Sequence, residues 1–234
     1  MTQVVVLAGG LATRMRPHTE TTPKILLEVA GRPFLHHLVD RLAASGASSV
    51  VLLLGHLASA VRAAVPASSL PITLVEDGPR LLGTAGALRG ALGALAETFV
   101  VTYGDSYLEL DLGALERALV DRPEAQGAMA VWKNEGALEP SNVALDEQGF
   151  VSRYVKRGGE RGLDHIDFGA TALRREVIAA LPADEPLGFD VVQATLARER
   201  ALLAFPVQHR FFEIGSPGGL ADLERHLRTT RTST

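Results

Sequence analysis

Gly9, Gly10, Arg14 and Lys24 fall within one stretch, Val4 to Lys24, that reads VVVLAGGLATRMRPHTETTPK. Its opening apolar run suits a buried parallel strand and breaks abruptly at the paired glycines. Glycines at a strand end let backbone N–H groups approach a ligand without interference from Cβ, and a concave run of such amides holds phosphate. The two cations follow in a loop stiffened by Pro17 and Pro23, so the stretch reads as a phosphate-handling loop. It is neither of the two best-known ones. A P-loop needs Gly, four residues and then Gly-Lys-Ser/Thr, and a dinucleotide fingerprint needs Gly-x-Gly-x-x-Gly.

The elements that must position this loop follow in order. Pro33 sits at a helix start whose apolar positions Phe34, Leu35, Leu38 and Leu42 recur at helical spacing, with Gly46 placed to end it. Val50 to Leu54 is a second buried strand, Leu57 to Val65 a short helix, and Leu70 to Val75 a third strand. After Gly83, Thr84 is expected to cap a helix with the face Ala87, Leu88, Ala91 and Leu92. An Ala/Gly-rich helix start of this kind serves close helix-to-sheet packing as readily as a ligand site. Phe99 to Tyr103 is a fourth strand and ends in Gly104-Asp105-Ser106. A carboxylate at that end of a strand lies where open α/β sheets bind ligands and is a hard oxygen donor suited to Mg2+, the competing reading being a helix cap. His36, His37 and His56 lack a carboxylate partner and are read as structural.

Up to about Pro123 the alternation of strand and helix predicts right-handed crossovers and an α/β, Rossmann-like, mainly parallel sheet flanked by helices. Gly127 to Lys133, Val143 to Leu145 and Phe150 to Lys156, the last two joined by a turn at Asp146–Gly149, then predict a small antiparallel β insertion. No linker separates the parts, so residues 1–228 are expected to form one domain, with halves at about 1–123 and 124–228. Leu173 to Leu181 and Asp190 to Arg200 read as helices and Leu202 to Val207 as a strand. Ser216 can cap, and Pro217 begin, a final helix through Leu227. Thr229 to Thr234 read as a frayed polar tail.

At 234 residues, with 47% hydrophobic content and a formal net charge of −4, the chain can bury one substantial core, and it lacks the basic surface of a nucleic-acid binder. It has no cysteine, which excludes disulfides and thiolate metal sites and fits a reducing compartment. No basic leader precedes the first strand and no apolar run approaches about 18 residues, so no membrane span is expected and the predicted location is cytoplasmic.

The first stretch resembles the LAGGxGTRxxPxTxxxPK signature of the sugar-1-phosphate nucleotidyltransferases, with Ala12 where that family has glycine. LGTAGAL at residues 82–88 is similar to the family segment that borders base and ribose. The resemblance therefore implies nucleotide contacts from Leu7, Ala8, Gly9, Gly10, Gly83 and Thr84. Gly104-Asp105 matches the motif that supplies a metal ligand. Phe211-Phe212-Glu213-Ile214-Gly215 matches the strand carrying the second, with Glu213 in place of aspartate. Lys156 corresponds to a lysine that approaches the sugar phosphate, although Tyr154-Val155-Lys156-Arg157 lacks that motif's glutamate and proline. His165-Ile166-Asp167-Phe168-Gly169 stands where the family has an Asn-Ala-Gly sugar-contacting strand. Asp167 replaces the asparagine, so when ionised it accepts but does not donate.

The resemblance covers Val4 to about Leu227 and is to the short form, similar to heptose-1-phosphate guanylyltransferases and N-acetylmuramate-1-phosphate uridylyltransferases. It implies that an NTP and a sugar 1-phosphate give an NDP-sugar and pyrophosphate, chiefly by positioning and charge stabilisation. In that scheme Arg14 and Lys24 are the catalytic cations: Arg14 neutralises the departing pyrophosphate, and Lys24, with Lys156, holds the incoming phosphate. Asp105 and Glu213 hold Mg2+, and Lys156, Asp167 and Gly169 contact the sugar phosphate. Two other readings stay open: a non-catalytic sugar-nucleotide sensor, and a cytidylyltransferase acting on a choline-phosphate-like alcohol phosphate. A glycosyltransferase would need an Asp-x-Asp run, which Tyr103-Gly104-Asp105-Ser106 lacks.

Overall fold

The computed structural model describes residues 1–10, 21–78, 80, 82–134, 139–183 and 185–232, with side chains as far as Thr229. Ala12 and Arg14 lie outside the described residues. Strand β1 (Thr2–Leu7) precedes a small hairpin, β2 (Glu28–Val29) and β3 (Arg32–Pro33), and helix α1 (Phe34–Ala44). Alternation follows through β4 (Ala47–Leu54), α2 (Ala58–Ala63), β5 (Ile72–Glu76), α3 (Gly83–Gly90) and β6 (Thr98–Tyr103). Next come β7 (Ser106–Tyr107), α4 (Leu112–Val120), β8 (Gly127–Lys133), β9 (Val143–Leu145), β10 (Val151–Tyr154) and β11 (His165–Arg174). The chain ends with α5 (Arg175–Ala179), α6 (Phe189–Arg198), β12 (Leu202–Val207), β13 (Phe212–Glu213) and α7 (Pro217–Thr232).

Among the described residues one nine-stranded sheet runs β10-β9-β11-β6-β1-β4-β5, with β8 pairing β11 and β12. The block β6-β1-β4-β5 is parallel throughout, as helix crossovers require. β11 joins it antiparallel through β6 and carries β8 and β9 in turn, so the antiparallel part continues the main sheet. Alternate residues of each strand face opposite layers. Val4, Val6, Leu52 and Val100 pack with Phe34, Leu35, Leu115 and Leu223 on one side. Val5, Leu7, Val51 and Val101 pack with Leu88, Ile178 and Phe189 on the other. The expected flanking of a largely parallel α/β sheet by helices is thus the observed architecture.

Three local expectations are corrected. Leu173 and Arg174 are not helical: β11 extends through them because Leu173 pairs with Phe99 of β6 and with Gly127 of β8, and α5 starts only at Arg175. Thr84 does not cap its own helix. The cap residue of α3 is Leu82, the buried positions are Ala85, Gly86 and Leu88, and Thr84 Oγ1 instead accepts from the N–H of Phe189 at 2.7 Å, capping α6. Finally, α7 continues past Leu227 to Thr232, so the tail is helical over most of its length. Its start is as expected, with the Gly219 N–H donating to Ser216 Oγ at 3.1 Å.

Candidate active site

The candidate site lies at the C-terminal edge of the parallel block. Leu7 leads out of β1 between two neighbours: the Gly104 N–H donates to Leu7 O at 3.0 Å and the Ala8 N–H to Leu53 O at 2.9 Å. The start of the glycine loop is therefore held by β6 on one side and β4 on the other. Lys24 opens a 3-10 turn, Lys24–Leu26, just before the β2–β3 hairpin. Its ammonium reaches Asp105 Oδ2 at 2.5 Å, with side-chain exposures of 16% and 26%. Two of the residues singled out in the sequence are thus brought together from 81 positions apart.

The pairing of β7 with β13 brings in the far end of the chain. Glu213 stands opposite Ser106, and the Ile214 N–H donates to Asp105 O at 2.9 Å. Glu213 folds back over Gly215, whose added Cβ would lie 2.9 Å from Glu213 Oε1. The donor set of Asp105 and Glu213, two hard carboxylates on paired backbone segments, is of the kind Mg2+ accepts. Lys24 holds the first of them as an ion pair. Among the described residues no group of three or more His, Asp or Glu could hold a metal. His36 and His37 instead contact the carbonyls of Ala64 and Val29.

The Gly169 kink of β11 approaches the same place. The Thr102 hydroxyl donates to Gly169 O at 2.9 Å, and a Cβ on Gly169 would lie 3.5 Å from Ser106 Oγ. Asp167 beside it accepts from the Gly169 N–H at 2.9 Å, from Gln193 Nε2 at 3.1 Å and from the Tyr154 hydroxyl. Burial nevertheless pushes its carboxyl up to about 6. Burial, with Asp167, Tyr154, Asp190 and Asp105 adding to it, likewise keeps the Tyr103 hydroxyl protonated. These groups form one acidic, largely buried cluster. Gln193 Oε1 is buried there without a partner among the described residues.

Lys156 donates to Asp190 Oδ1 at 2.8 Å, at the first turn of α6 and at the exposed side of this cluster. Gly83 and Thr84 are occupied in stitching α3 to the segment before α6: the Ala85 N–H donates to Leu187 O at 2.9 Å and the Leu187 N–H to Leu82 O at 2.8 Å. Gly83 is required by this approach, since its Cβ would sit 2.5 Å from Leu187 O. Tyr103, Tyr154, Asp190 and Gln193 were not singled out in the sequence. Asp190 and Gln193 lie one turn apart on α6, but nothing local distinguishes them from the solvated polar face of a helix.

Residues 4–210 match the MobA-like NTP transferase domain. Over 224 residues the chain is 27% identical to the mannose-1-phosphate guanylyltransferase catalytic subunit beta of Drosophila pseudoobscura pseudoobscura, covering 92% of this chain and 60% of that protein. It is 31% identical over 244 residues to the bifunctional protein GlmU of Acidovorax sp. (strain JS42), covering 95% and 50%. The chain thus spans half to three-fifths of the length of these relatives. The crystal structure of HddC from Yersinia pseudotuberculosis superposes with a TM-score of 0.81 at 24% identity, over 97% of this chain and all of that one, which bears on the fold.

Proposed function

Because the chain belongs to the MobA-like NTP transferase family, we propose that it transfers a nucleoside monophosphate from an NTP to a sugar 1-phosphate, giving an NDP-sugar and pyrophosphate. The observation that carries this reading is the meeting of Lys24, Asp105 and the β13 strand of Glu213 at the mouth of the glycine loop. A phosphate oxygen of the sugar 1-phosphate attacks the α-phosphorus. The new P–O bond forms as the bond to the β-phosphate oxygen breaks, and pyrophosphate leaves with the electron pair. No side chain need take a proton, since a phosphate monoester is largely ionised at neutral pH.

The chain's own contribution is placement. Backbone amides of Gly9 and Gly10 face the nucleotide, Lys24 moves from Asp105 to a phosphate oxygen, and the cluster of Tyr103, Tyr154, Asp167 and Asp190 takes the sugar hydroxyls. Asp105 and Glu213 would hold Mg2+, which supplies Lewis-acid charge neutralisation at the α-phosphate. Among the described residues no helix is long and apolar enough to cross a membrane.

The test is a pyrophosphate-release screen of the purified protein against GTP, UTP, dTTP and CTP, each with a panel of sugar 1-phosphates, repeated across a Mg2+ titration. Release that requires an NTP, a sugar 1-phosphate and Mg2+ together is expected. Nucleotide binding without release for any pair would point to a sensor, and release with choline phosphate alone to the alcohol-phosphate reading.

A further inference from the structure

The hairpin of β9 and β10 is lightly tied to the main sheet. Among the described residues β9 meets β11 at one residue pair, Val143 opposite His165, and β10 pairs only with β9. The turn of the hairpin, residues 146–150, lies at the edge of the sheet opposite the glycine loop. There Phe150 bridges Leu203 at the start of β12, and the Ala204 N–H donates to Gly149 O at 2.8 Å. The other end of the hairpin reaches the acidic cluster. The Val155 N–H donates to Asn142 O at 2.9 Å, the Asp167 N–H donates to Asn142 Oδ1 at 2.8 Å, and Tyr154 and Lys156 meet Asp167 and Asp190. Helix α6 runs alongside in the opposite direction. Asp190 in its first turn stands by Lys156, and Arg200, just past its end and about 15 Å further on, stands by the hairpin turn.

Arg200 occupies a backbone position that suits glycine. Helix α6 closes with the Arg200 N–H donating to Ala197 O at 3.0 Å and the Ala201 N–H to Leu196 O at 2.8 Å, and Arg200 itself is left-handed, with φ 56°. Glycine takes that position without strain and an L side chain does not, so the arginine is held there against local preference. Its side chain acts on the turn. Nε donates to Asp146 Oδ2 at 2.8 Å, and Cζ lies 5.2 Å from the centre of the Phe150 ring, with Cζ of Arg122 at 5.0 Å from the same ring. Phe150 is buried, and Asp146 Oδ1 accepts from the N–H groups of Gln148 and Phe150 at 2.9 Å each. Arg200 thus grips a turn that is itself well held, using both the charge and the flat face of its guanidinium.

Resting on the nucleotidyl-transfer reading, we propose that Arg200 is a positioning residue for the sugar 1-phosphate. α6 and the hairpin are joined at both ends, by Lys156 and Asp190 beside the cluster and by Asp146 and Arg200 at the opposite edge. The first of these joints is open to a ligand, since the Lys156 side chain is 68% exposed and a phosphate competes with Asp190 for its ammonium. Once Lys156 turns to the substrate, the second joint is the ion pair that still fastens the hairpin to α6. Through it Arg200 keeps Tyr154 on Asp167 and β10 beside Asp190 and Gln193, without touching the substrate itself.

Amide hydrogen exchange on the full chain reads this link without substrate. In Arg200→Gly, whose glycine suits the left-handed position and keeps the helix end, exchange at Val155 and Asp167 should quicken about 10-fold or more, while Val5 and Val101 in the parallel block hold. Steady-state kinetics then use the NTP and sugar 1-phosphate pair found by pyrophosphate release. The KM for the sugar 1-phosphate should rise about 5- to 20-fold in Arg200→Gly, with the KM for NTP nearly unchanged. Asp146→Asn, which keeps the acceptor of the turn and drops its charge, should move both readouts the same way, and Arg200→Lys should restore part of each. Parent-like exchange at Val155 and Asp167, or equal changes in the two KM values, would overturn the positioning role and leave nucleotidyl transfer standing. Absence of pyrophosphate release by the parent protein with every pair would overturn the transfer reading and with it the sugar role, whatever the exchange shows.

Discussion

Lys24 and Asp105 meet at 2.5 Å with neither side chain well solvated, so each neutralises the other before any ligand arrives. Removing one partner of such a pair leaves the other partly desolvated and uncompensated. Lys24→Ala is therefore expected to cost about 1–2 kcal/mol of stability, between the exposed and buried limits, as read by urea unfolding. Its turnover should fall much further, by about 100-fold or more, because the proposed reaction needs the same ammonium on phosphate. Equal losses in both measurements would make it a structural lysine. Asp167 is a different case, because burial raises its carboxyl to about 6 in spite of three donors. In the unfolded chain it titrates near ~3.9. Between these values the folded state binds more protons than the unfolded one, so its ionisation costs nothing below about pH 4, costs progressively more up to about 6, and is constant above. Relative to the parent protein, Asp167→Asn should gain about 1–3 kcal/mol between pH 4 and pH 7.5 in paired urea titrations. A difference that stays flat over this range would mean that Asp167 is well solvated.

Between α3 and α6 the decisive contact is a cap supplied across the fold. Thr84 Oγ1 satisfies the first N–H of α6, and the backbones around Leu82 and Leu187 exchange hydrogen bonds beside it. α6 carries Asp190 and Gln193, so the seating of this helix sets one side of the cluster proposed to take the sugar. Thr84→Val keeps the shape and deletes the acceptor, which should lower stability by about 1 kcal/mol. Thr84→Ser should restore it. If the cluster takes the sugar, Thr84→Val should also raise the KM for sugar 1-phosphate more than that for NTP, and an unchanged KM ratio would separate α6 from the sugar site.

Across the whole molecule, the family match ends at residue 210, yet β13 and α7 lie beyond it and belong to the same core. Ile214, Leu223 and Leu227 are buried against the α1 and α4 face, and β13 completes the ladder beside Asp105. At roughly 1.5–3 kcal/mol per buried aliphatic side chain, losing these three removes about 4.5–9 kcal/mol, comparable with a domain's usual margin of about 5–15 kcal/mol. A chain truncated after Arg210 is expected to lose its cooperative thermal transition. Retention of a sharp transition in calorimetry would show that β13 and α7 only dock on a self-sufficient core.

Much of this was legible in the residues themselves. The apolar run into Gly9 and Gly10, the Phe34–Leu42 spacing and the Ser216-Pro217 start express themselves locally, through the strand period, the helix period and the cap: α7 begins at Pro217 as expected, α1 one residue after Pro33, and β1 two residues before Val4. What needed the tertiary structure depended on partners far away in the chain. Leu173 and Arg174 have helix-compatible side chains but lie between strands on both sides, so sheet hydrogen bonds prevail over local propensity. Thr84 sits at a helix start, yet its hydrogen bond goes to a residue 105 positions later. Glu213 was singled out by motif, but only the β7–β13 ladder sets it beside the Asp105 segment.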